Sequence, residues 1–276
     1  MKDLLDGPLI LAGAGKMGGA MLTGWLAGGL DPALVRVQDP GPPPEIRDLL
    51  ARHGIKWAPE LKAADLPAPP SVILAAVKPQ VMDDVFPALA KLAGPGTLTL
   101  SIAAGRTMAG FEKHLKPGAA VVRTIPNTPA AIGRGITACV ANANVTADQR
   151  KLCDALLSSI GEVGWVDDET LIDVATAVSG SGPAYVFLLA ECLAQAGVNA
   201  GLTPELAERL ANATVAGSGE LLRQAGLPAA TLRENVTSPN GTTYAALQVL
   251  MAGDGLKPLM QRAVDAANKR SQELSG

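Results

Sequence analysis

The residues best suited to bind a small molecule lie near the end of the chain, in a polar turn that runs into a helical pattern. Residues 236–250 read Val-Thr-Ser-Pro-Asn-Gly-Thr-Thr-Tyr-Ala-Ala-Leu-Gln-Val-Leu. A turn that leads directly into a helix points several backbone N–H groups at one place, with the positive end of the helix dipole behind them. A carboxylate or a phosphate can bind there. An ordinary helix cap uses the same residue types, so the stretch alone does not decide between the two.

Few side chains in the second half of the chain could protonate a reacting group. No lysine lies between Lys151 and Lys257, and both histidines are in the first half. Reduction of a ketone usually needs a positioned acid for the developing alkoxide. A protonated imine already carries the charge that hydride transfer removes, so positioning dominates. The pattern favours imine reduction, with Thr242 and Thr243 available to hydrogen-bond near the substrate nitrogen.

A second turn of small residues, Ser179-Gly180-Ser181-Gly182-Pro183-Ala184-Tyr185, leads into a long helical pattern. Pro183 suits the first turn of a helix. Ser181 and its neighbours allow close approach of a ligand or of a neighbouring subunit. A helix start capped by serine is the alternative interpretation.

A glycine-rich loop near the start of the chain has the pattern of a dinucleotide site. Gly13-Ala14-Gly15-Lys16-Met17-Gly18 follows an apolar strand pattern and opens a helical one. In such a unit the first glycine permits the tight turn, the second admits the pyrophosphate, and the third packs helix on strand. The strand, loop and helix context makes this prediction much stronger than the glycine spacing alone.

Asp39 ends the second predicted strand, where an acid accepts hydrogen bonds from the adenosine ribose and repels a 2′-phosphate. The next cation along the chain is Arg47, beyond a run of prolines. This favours NADH over NADPH, although a turn cap before Pro40 would also explain the aspartate. Three further loops, at residues 77–80, 103–105 and 125–129, follow predicted strands and are expected to line the cofactor cleft.

The order of the patterns predicts an α/β protein with two parts. Strand patterns at residues 9–12, 35–38, 72–77, 97–102, 120–123 and 137–140 alternate with helical ones at 17–27, 45–52 and 81–92. Such alternation indicates a doubly wound parallel sheet covered on both faces, a Rossmann-type domain over residues 1–166. Helical patterns at 171–177, 184–200, 204–224, 243–251 and 256–272 predict an all-helical domain over residues 167–276 that binds substrate and dimerises.

The composition argues against several classes of function. A net charge of −3 with scattered cations leaves no basic stripe for nucleic acid. The three cysteines have no metal-ligand spacing, so we expect no metal site and buried, reduced thiols in a cytoplasmic protein. The chain start lacks the apolar core of a signal peptide. The longest uncharged run, residues 174–190, contains two glycines and a proline and is shorter than the roughly 20 residues of a spanning helix, so we expect a soluble chain.

Six motifs in order, covering nearly the whole chain, resemble the pyrroline-5-carboxylate reductase family. They are residues 13–18, 76–79, 101–105, 126–129, 179–185 and 236–243. The resemblance implies reduction of L-1-pyrroline-5-carboxylate to L-proline with NADPH or NADH, the last step of proline synthesis. It also implies a homodimer, or a larger oligomer of dimers, formed through the helical domain.

The resemblance also implies roles for individual residues. Thr243 would lie near the substrate nitrogen as the catalytic group. The substrate would be held by Ser238, Asn240, Gly241, Thr242, Thr243 and Ser181. The cofactor would be held by Gly13, Gly15, Lys16, Met17, Gly18, Val77, Lys78, Pro79, Ala104, Gly105 and Asn235. The residue patterns themselves add Asp39 and Asn127 to this cofactor site.

The chain departs from the family pattern in three places. Asn240 precedes Gly241 where relatives often have Gly-Gly, residues 224–228 lack an acid that many relatives carry, and Asp39 replaces a residue type that accompanies NADPH. Two other functions stay open. One is a related imine or hydroxyacid reductase with a different substrate, although β-hydroxyacid dehydrogenases use a lysine in the helical half, which is absent here. The other is a nucleotide-sensing module without turnover.

Overall fold

An eight-stranded sheet forms the first part of this computed structural model, which describes residues 5–275. The strands are β1 Leu9–Ala12, β2 Val35–Gln38, β3 Lys56–Ala58, β4 Val72–Ala75, β5 Leu98–Ser101, β6 Ala120–Pro126, β7 Gly135–Ala141 and β8 Gly161–Trp165. Their spatial order is β3-β2-β1-β4-β5-β6-β7-β8. All neighbours are parallel except β6 and β7, which pair antiparallel. The predicted Rossmann-type sheet is therefore confirmed, with one antiparallel pair that the sequence patterns do not indicate.

Apolar side chains of the central strands alternate between two cores, one on each face of the sheet. Leu9 and Leu11 of β1 point to the face covered by α1 (Lys16–Ala27), α2 (Pro44–His53) and α5 (Ala147–Leu157). Ile10 and Ala12 point to the opposite face, which α3 (Met82–Ala90) and α4 (Met108–Glu112) cover. Because strand side chains alternate, a continuous apolar strand of this kind must be buried on both faces. The glycine loop after β1 is thus attached to a fully buried, central strand of the sheet.

Six α-helices follow the sheet in the described chain. After α6 (Leu171–Ala175) and a π-helical turn at Thr176–Gly180 come α7 (Gly182–Asn199), α8 (Pro204–Ala225), α9 (Ala229–Asn235), α10 (Thr242–Leu250) and α11 (Leu256–Ser275). The all-helical character predicted for this half is confirmed. Helix α9 and strands β3 and β8 lack a clear sequence pattern: β3 has three residues and the five residues of β8 include two glycines.

The described chain forms two compact units. One runs up to Gly180 and also includes the carboxyl-terminal residues from Asn268; the other is Ser181–Ala267. The change at Gly180 lies beyond the boundary expected at residue 166, and α11 runs from the second unit into the first. The assignment of cofactor binding to residues 1–166 and of substrate binding and dimerisation to residues 167–276 stays a prediction.

The second unit has little buried core of its own. Helices α7 and α8 pack as a pair and bury Ala207 and Ala211, but no residue of α7 is fully buried. Phe187 and Leu188 of α7 are 62% and 58% exposed. Large exposed apolar patches of this kind mark surfaces that bind another protein or a membrane.

By length and composition alone, one segment of the described chain could cross a membrane. It is Leu171–Asn199, whose apolar window is 6% buried. The expectation that no run is long enough therefore does not hold by this measure, although the π-helical turn and Pro183 interrupt the segment. An interface helix has the same composition, so the segment is weak evidence for a membrane span.

Two cysteines face each other between strand β7, which contains Cys139, and helix α5, which contains Cys153. Cys139 and Cys153 are both buried, whereas Cys192 on α7 is exposed, which corrects the expectation that all three are buried. A hydrogen bond with the Cys139 thiol, together with burial, raises the pKa of Cys153 well above that of a free thiol. A reactive thiolate at Cys153 is therefore disfavoured.

Candidate cofactor and substrate sites

The first and third glycines of the loop after β1 allow helix and strand to approach closely. Gly13 has a φ of +93°, and a Cβ there would lie 2.6 Å from the carbonyl oxygen of Ala76. Its N–H donates to the carbonyl of Gln38 at 2.8 Å. A Cβ on Gly18 would collide with the carbonyl oxygen of Gly13. Both positions require glycine for steric reasons, which agrees with their predicted roles.

The second glycine leaves open space where a ligand could bind. Gly15 is the N-cap of α1, and a Cβ there would have no neighbour within 4 Å among the described residues. No side chain caps this helix, and its first turn carries no acid. Lys16 is exposed and Met17 half-buried beside it. Uncapped N–H groups, a helix dipole and open space are what an anion such as a pyrophosphate needs.

Asp39 connects the end of β2 to this loop. Its Oδ2 accepts a hydrogen bond from the Ala14 N–H at 2.7 Å, and its Oδ1 accepts one from the Gly41 N–H at 2.8 Å. Each carboxylate oxygen can accept a further bond. The side chain therefore positions the glycine loop and still presents acceptor sites, so the turn-cap and ribose-binding interpretations are compatible.

The other predicted cofactor residues follow neighbouring parallel strands. Val77, Lys78 and Pro79 come after β4, Ala104 and Gly105 after β5, and Asn127 after β6. The carboxyl ends of parallel neighbours lie at the same edge of a sheet, so the structure places these residues on one edge with the glycine loop. The Oδ1 of Asn127 accepts the Ile136 N–H at 3.0 Å, which fixes its orientation.

Arg106 connects two of these loops, and the sequence patterns do not indicate it. Its Nε donates to the carbonyl of Pro79 at 3.1 Å, and its Nη1 contacts Oδ2 of Asp83 at 2.6 Å. Hydrogen bonding to this guanidinium lowers the pKa of Asp83. The sequence signal for this residue is a cation directly after Gly105. Only the fold shows that the Arg106 side chain reaches back to the preceding loop.

In the second unit, the Ser-Pro-Asn-Gly stretch forms a tight turn. The carbonyl of Ser238 accepts the Gly241 N–H at 3.1 Å. Asn240 has a φ of +58°, the only positive φ of a non-glycine among the described residues. Proline followed by a residue of positive φ is typical of a type II turn. Asn240 fits this position because asparagine tolerates a positive φ better than most non-glycine residues.

The turn leads directly into α10 with no side-chain cap. Gly241 is the N-cap, and its carbonyl accepts the Ala245 N–H at 3.1 Å. Thr242 is exposed and Thr243 half-buried on the first turn. The structure thus brings residues 238–243 together at a helix start with unsatisfied N–H groups, as the sequence predicts.

Two predicted residues lie outside this turn. Ser181 is the N-cap of α7, without a side-chain cap bond, and Asn235 is the exposed last residue of α9. Both belong to the same compact unit as the turn. Among residues 5–275, no cluster of three His, Cys, Asp or Glu side chains could hold a metal ion.

Both halves of the chain match known protein families. Residues 169–274 match the family described as pyrroline-5-carboxylate reductase dimerisation, and residues 9–105 match NADP oxidoreductase coenzyme F420-dependent. The pyrroline-5-carboxylate reductase of Pseudomonas aeruginosa is 41% identical over 95% of both chains. That of Corynebacterium melassecola is 35% identical over 96% of this chain and 98% of the relative.

Solved structures give the same relationship. A pyrroline-5-carboxylate reductase from Coxiella burnetii is 33% identical with a TM-score of 0.89, covering 98% of this chain and 99% of that one. The Plasmodium falciparum pyrroline carboxylate reductase, solved with NADP bound, is 28% identical with a TM-score of 0.79 over the same shares. The likeness therefore extends over both compact units.

Substitution of two glycines by alanine separates folding from ligand binding. We expect Gly13→Ala to destabilise the protein by about 1–3 kcal/mol, because its φ is positive and its Cβ meets the backbone. Gly15→Ala should leave stability within about 0.5 kcal/mol of wild type. It should nevertheless weaken NADH binding by about tenfold, because the new methyl group occupies the open space at the helix start. Denaturant titration and nucleotide fluorescence measure the two effects, and unchanged affinity in Gly15→Ala would place the pyrophosphate elsewhere.

Proposed function

The chain belongs to the pyrroline-5-carboxylate reductase family, and from that membership we propose how its own residues hold the two reactants. It is an NAD(P)H-dependent oxidoreductase that reduces L-1-pyrroline-5-carboxylate to L-proline, in proline biosynthesis. The observation that carries the assignment is likeness over 95% of this chain and of its Pseudomonas relative. The uncapped helix starts described above supply the matching chemistry.

The edge of the sheet would hold the dinucleotide. The N–H groups at Gly15, Lys16 and Met17 would bind the pyrophosphate, since no side chain caps α1. Asp39 would accept hydrogen bonds from the adenosine ribose while keeping its bond to Ala14. The nicotinamide half would lie against the loops that contain Val77, Lys78, Pro79, Ala104, Gly105 and Asn127. The dinucleotide, when bound, supplies the hydride.

The turn before α10 would hold the substrate. Its carboxylate would accept N–H groups at the start of the helix, near Ser238, Asn240, Gly241 and Thr242. This interaction is favoured because the helix has no side-chain cap and no acid in its first turn. Ser181 would complete the substrate site, and Asn235 would lie beside the cofactor.

Thr243 would act on the substrate nitrogen. Its hydroxyl can donate or accept, so it can orient the protonated imine and remain bonded to the amine product. The absence of lysine between Lys151 and Lys257 fits this role, because an iminium needs orientation more than an added proton. Orientation of the ring by its carboxylate at one end and its nitrogen at the other would fix which carbon accepts the hydride.

The helical unit makes the protein a homo-oligomer through its dimerisation domain. We infer that the basic assembly is a homodimer, alone or within a larger oligomer of dimers. The exposed apolar side chains of α7, such as Phe187 and Leu188, would be covered by a second copy. The same burial would account for the apolar segment Leu171–Asn199 in a cytoplasmic protein without a membrane or nucleic-acid partner.

Nucleotide preference would depend on Asp39. A carboxylate that is fixed by two backbone N–H groups beside the glycine loop cannot easily turn away from a 2′-phosphate. We therefore propose that the chain uses both nucleotides but prefers NADH.

A direct assay tests the overall proposal. Purified protein should oxidise NADH, and more slowly NADPH, when given pyrroline-5-carboxylate, as followed by absorbance of the reduced nucleotide. Hydroxy and keto acids should produce almost no turnover. Cofactor consumption no greater than background with either nucleotide would refute the proposed activity.

Removal of the Thr243 hydroxyl should affect catalysis more than cofactor binding. We expect Thr243→Ala to lower kcat by about tenfold or more, since each tenfold corresponds to about 1.4 kcal/mol of lost stabilisation. The dissociation constant of NADH should change less than about twofold, and Thr243→Ser should retain most activity. A wild-type rate in the alanine variant would leave Thr243 as a structural residue only.

Replacement of Asp39 tests the nucleotide preference. We expect Asp39→Ser to shift the kcat/KM ratio of NADPH to NADH by about tenfold toward NADPH, because the charge that repels the 2′-phosphate is lost. Asp31→Ser is a suitable control, since Asp31 caps a short exposed 3-10 turn before β2. A ratio that does not move would mean that Asp39 only supports the loop.

A further inference from the structure

The end of α11 reaches a buried polar network beneath the sheet edge. The Ser271 hydroxyl donates to Oδ1 of Asp173 at 2.6 Å, and both residues are buried. The same Oδ1 lies 3.7 Å from Nη2 of Arg123, a side chain that is 2% exposed. Nη1 of Arg123 contacts Oε1 of Glu169 at 3.0 Å. All four residues belong to the first compact unit.

This network lies next to the loop that follows β5. Arg123 on β6 is the direct partner of Ser101, the last residue of β5. The Thr124 hydroxyl also donates to the carbonyl of Ser101 at 2.9 Å. Ala104 and Gly105 follow within the same loop, so the network is joined to the base of that loop through strand pairing.

The last turn of α11 also touches the tip of that loop. A Cβ on Gly105 would lie 3.0 Å from the carbonyl oxygen of Leu274, and Gly105 has a φ of +68°. The contact is made by the Leu274 backbone and Cβ, because its side chain is largely exposed. The position of the helix backbone, not a side chain at its tip, therefore supports the loop.

We propose that Ser271 is a positioning residue for cofactor binding: its bond to Asp173 seats the last turn of α11 against Gly105 and so fixes the loop that borders the nicotinamide. The inference rests on the proposed role of Ala104 and Gly105 in binding that half of the dinucleotide. Asp173 is committed to the buried network, and Ser271 is the helix residue that connects to it. Loss of the hydroxyl frees the helix end, and a loop with a positive φ at its tip then loses its support.

Binding of the adenosine half of the dinucleotide serves as an internal control for binding of the whole dinucleotide. Among residues 5–275, the glycine loop at residues 13–18 and Asp39 form no hydrogen bond with α11, whereas the proposed nicotinamide half of the site includes Gly105. Ser271→Ala in the full-length protein should therefore weaken NADH binding by about fivefold, the typical cost of one hydrogen bond. Binding of ADP-ribose, which lacks the nicotinamide, should stay within about twofold of wild type. Fluorescence of the reduced nucleotide and calorimetry with ADP-ribose measure the two constants.

Matched variants separate positioning from folding. Ser271→Thr keeps the hydroxyl and should restore NADH affinity, while a chain that ends at residue 273 should repeat the selective loss. Glu273→Gln breaks the surface pair with Arg270 on the same turn and should change neither constant. Melting temperatures check that each variant is folded.

Three results would overturn the inference. Equal losses for NADH and ADP-ribose would make Ser271 a general stabilising residue, and no loss for either would mean that the loop is independent of α11. Weak NADH binding by the wild-type protein would instead remove the proposed cofactor site itself, and this inference with it. Failure of the proposed function thus appears in the wild type, whereas failure of the positioning role appears only in the variants.

Discussion

The contact between Gly18 and the carbonyl of Gly13 sets the geometry on which the cofactor site depends. Only a residue without Cβ lets α1 begin so close behind β1, and this approach aims the first turn of the helix along the sheet edge. Asp39 then ties the same loop to β2 through Ala14, and Gly13 donates to Gln38. These backbone contacts leave the first N–H groups of α1 without a side-chain cap, and our proposal that the sheet edge binds the pyrophosphate depends on this.

The helical unit also contains a helix start without a side-chain cap. Asn240 takes up a positive φ, the turn closes through Ser238 and Gly241, and α10 starts with free N–H groups. In our proposal the start of α1 binds the diphosphate of the cofactor, and the start of α10 binds the carboxylate of the substrate. A reaction between a dinucleotide and a small cyclic acid needs two such anchors, since each reactant is held by its charged group and not by its reacting atoms.

Much of this arrangement could be predicted from the sequence because it depends on local patterns. Strands β1 and β2 are bounded by glycine and proline signals, and their predicted limits agree with the structure. Strand β3 is too short to show a periodic sequence pattern. The antiparallel pairing of β6 with β7 depends on tertiary contacts, which strand patterns do not encode. Likewise Arg106 and the Arg123 network join residues far apart in the chain, so only the folded structure shows them.

The placement of Leu274 beside Gly105 gives the last turn of α11 an unusual importance. In many proteins the terminus is a convenient attachment point because the last residues contact little. Here the last turn of α11 belongs to the first compact unit and lies against Gly105. An affinity tag or fluorescent fusion joined directly after this turn would begin next to the loop that we propose borders the nicotinamide, so fusions that preserve native kinetics belong elsewhere on the surface.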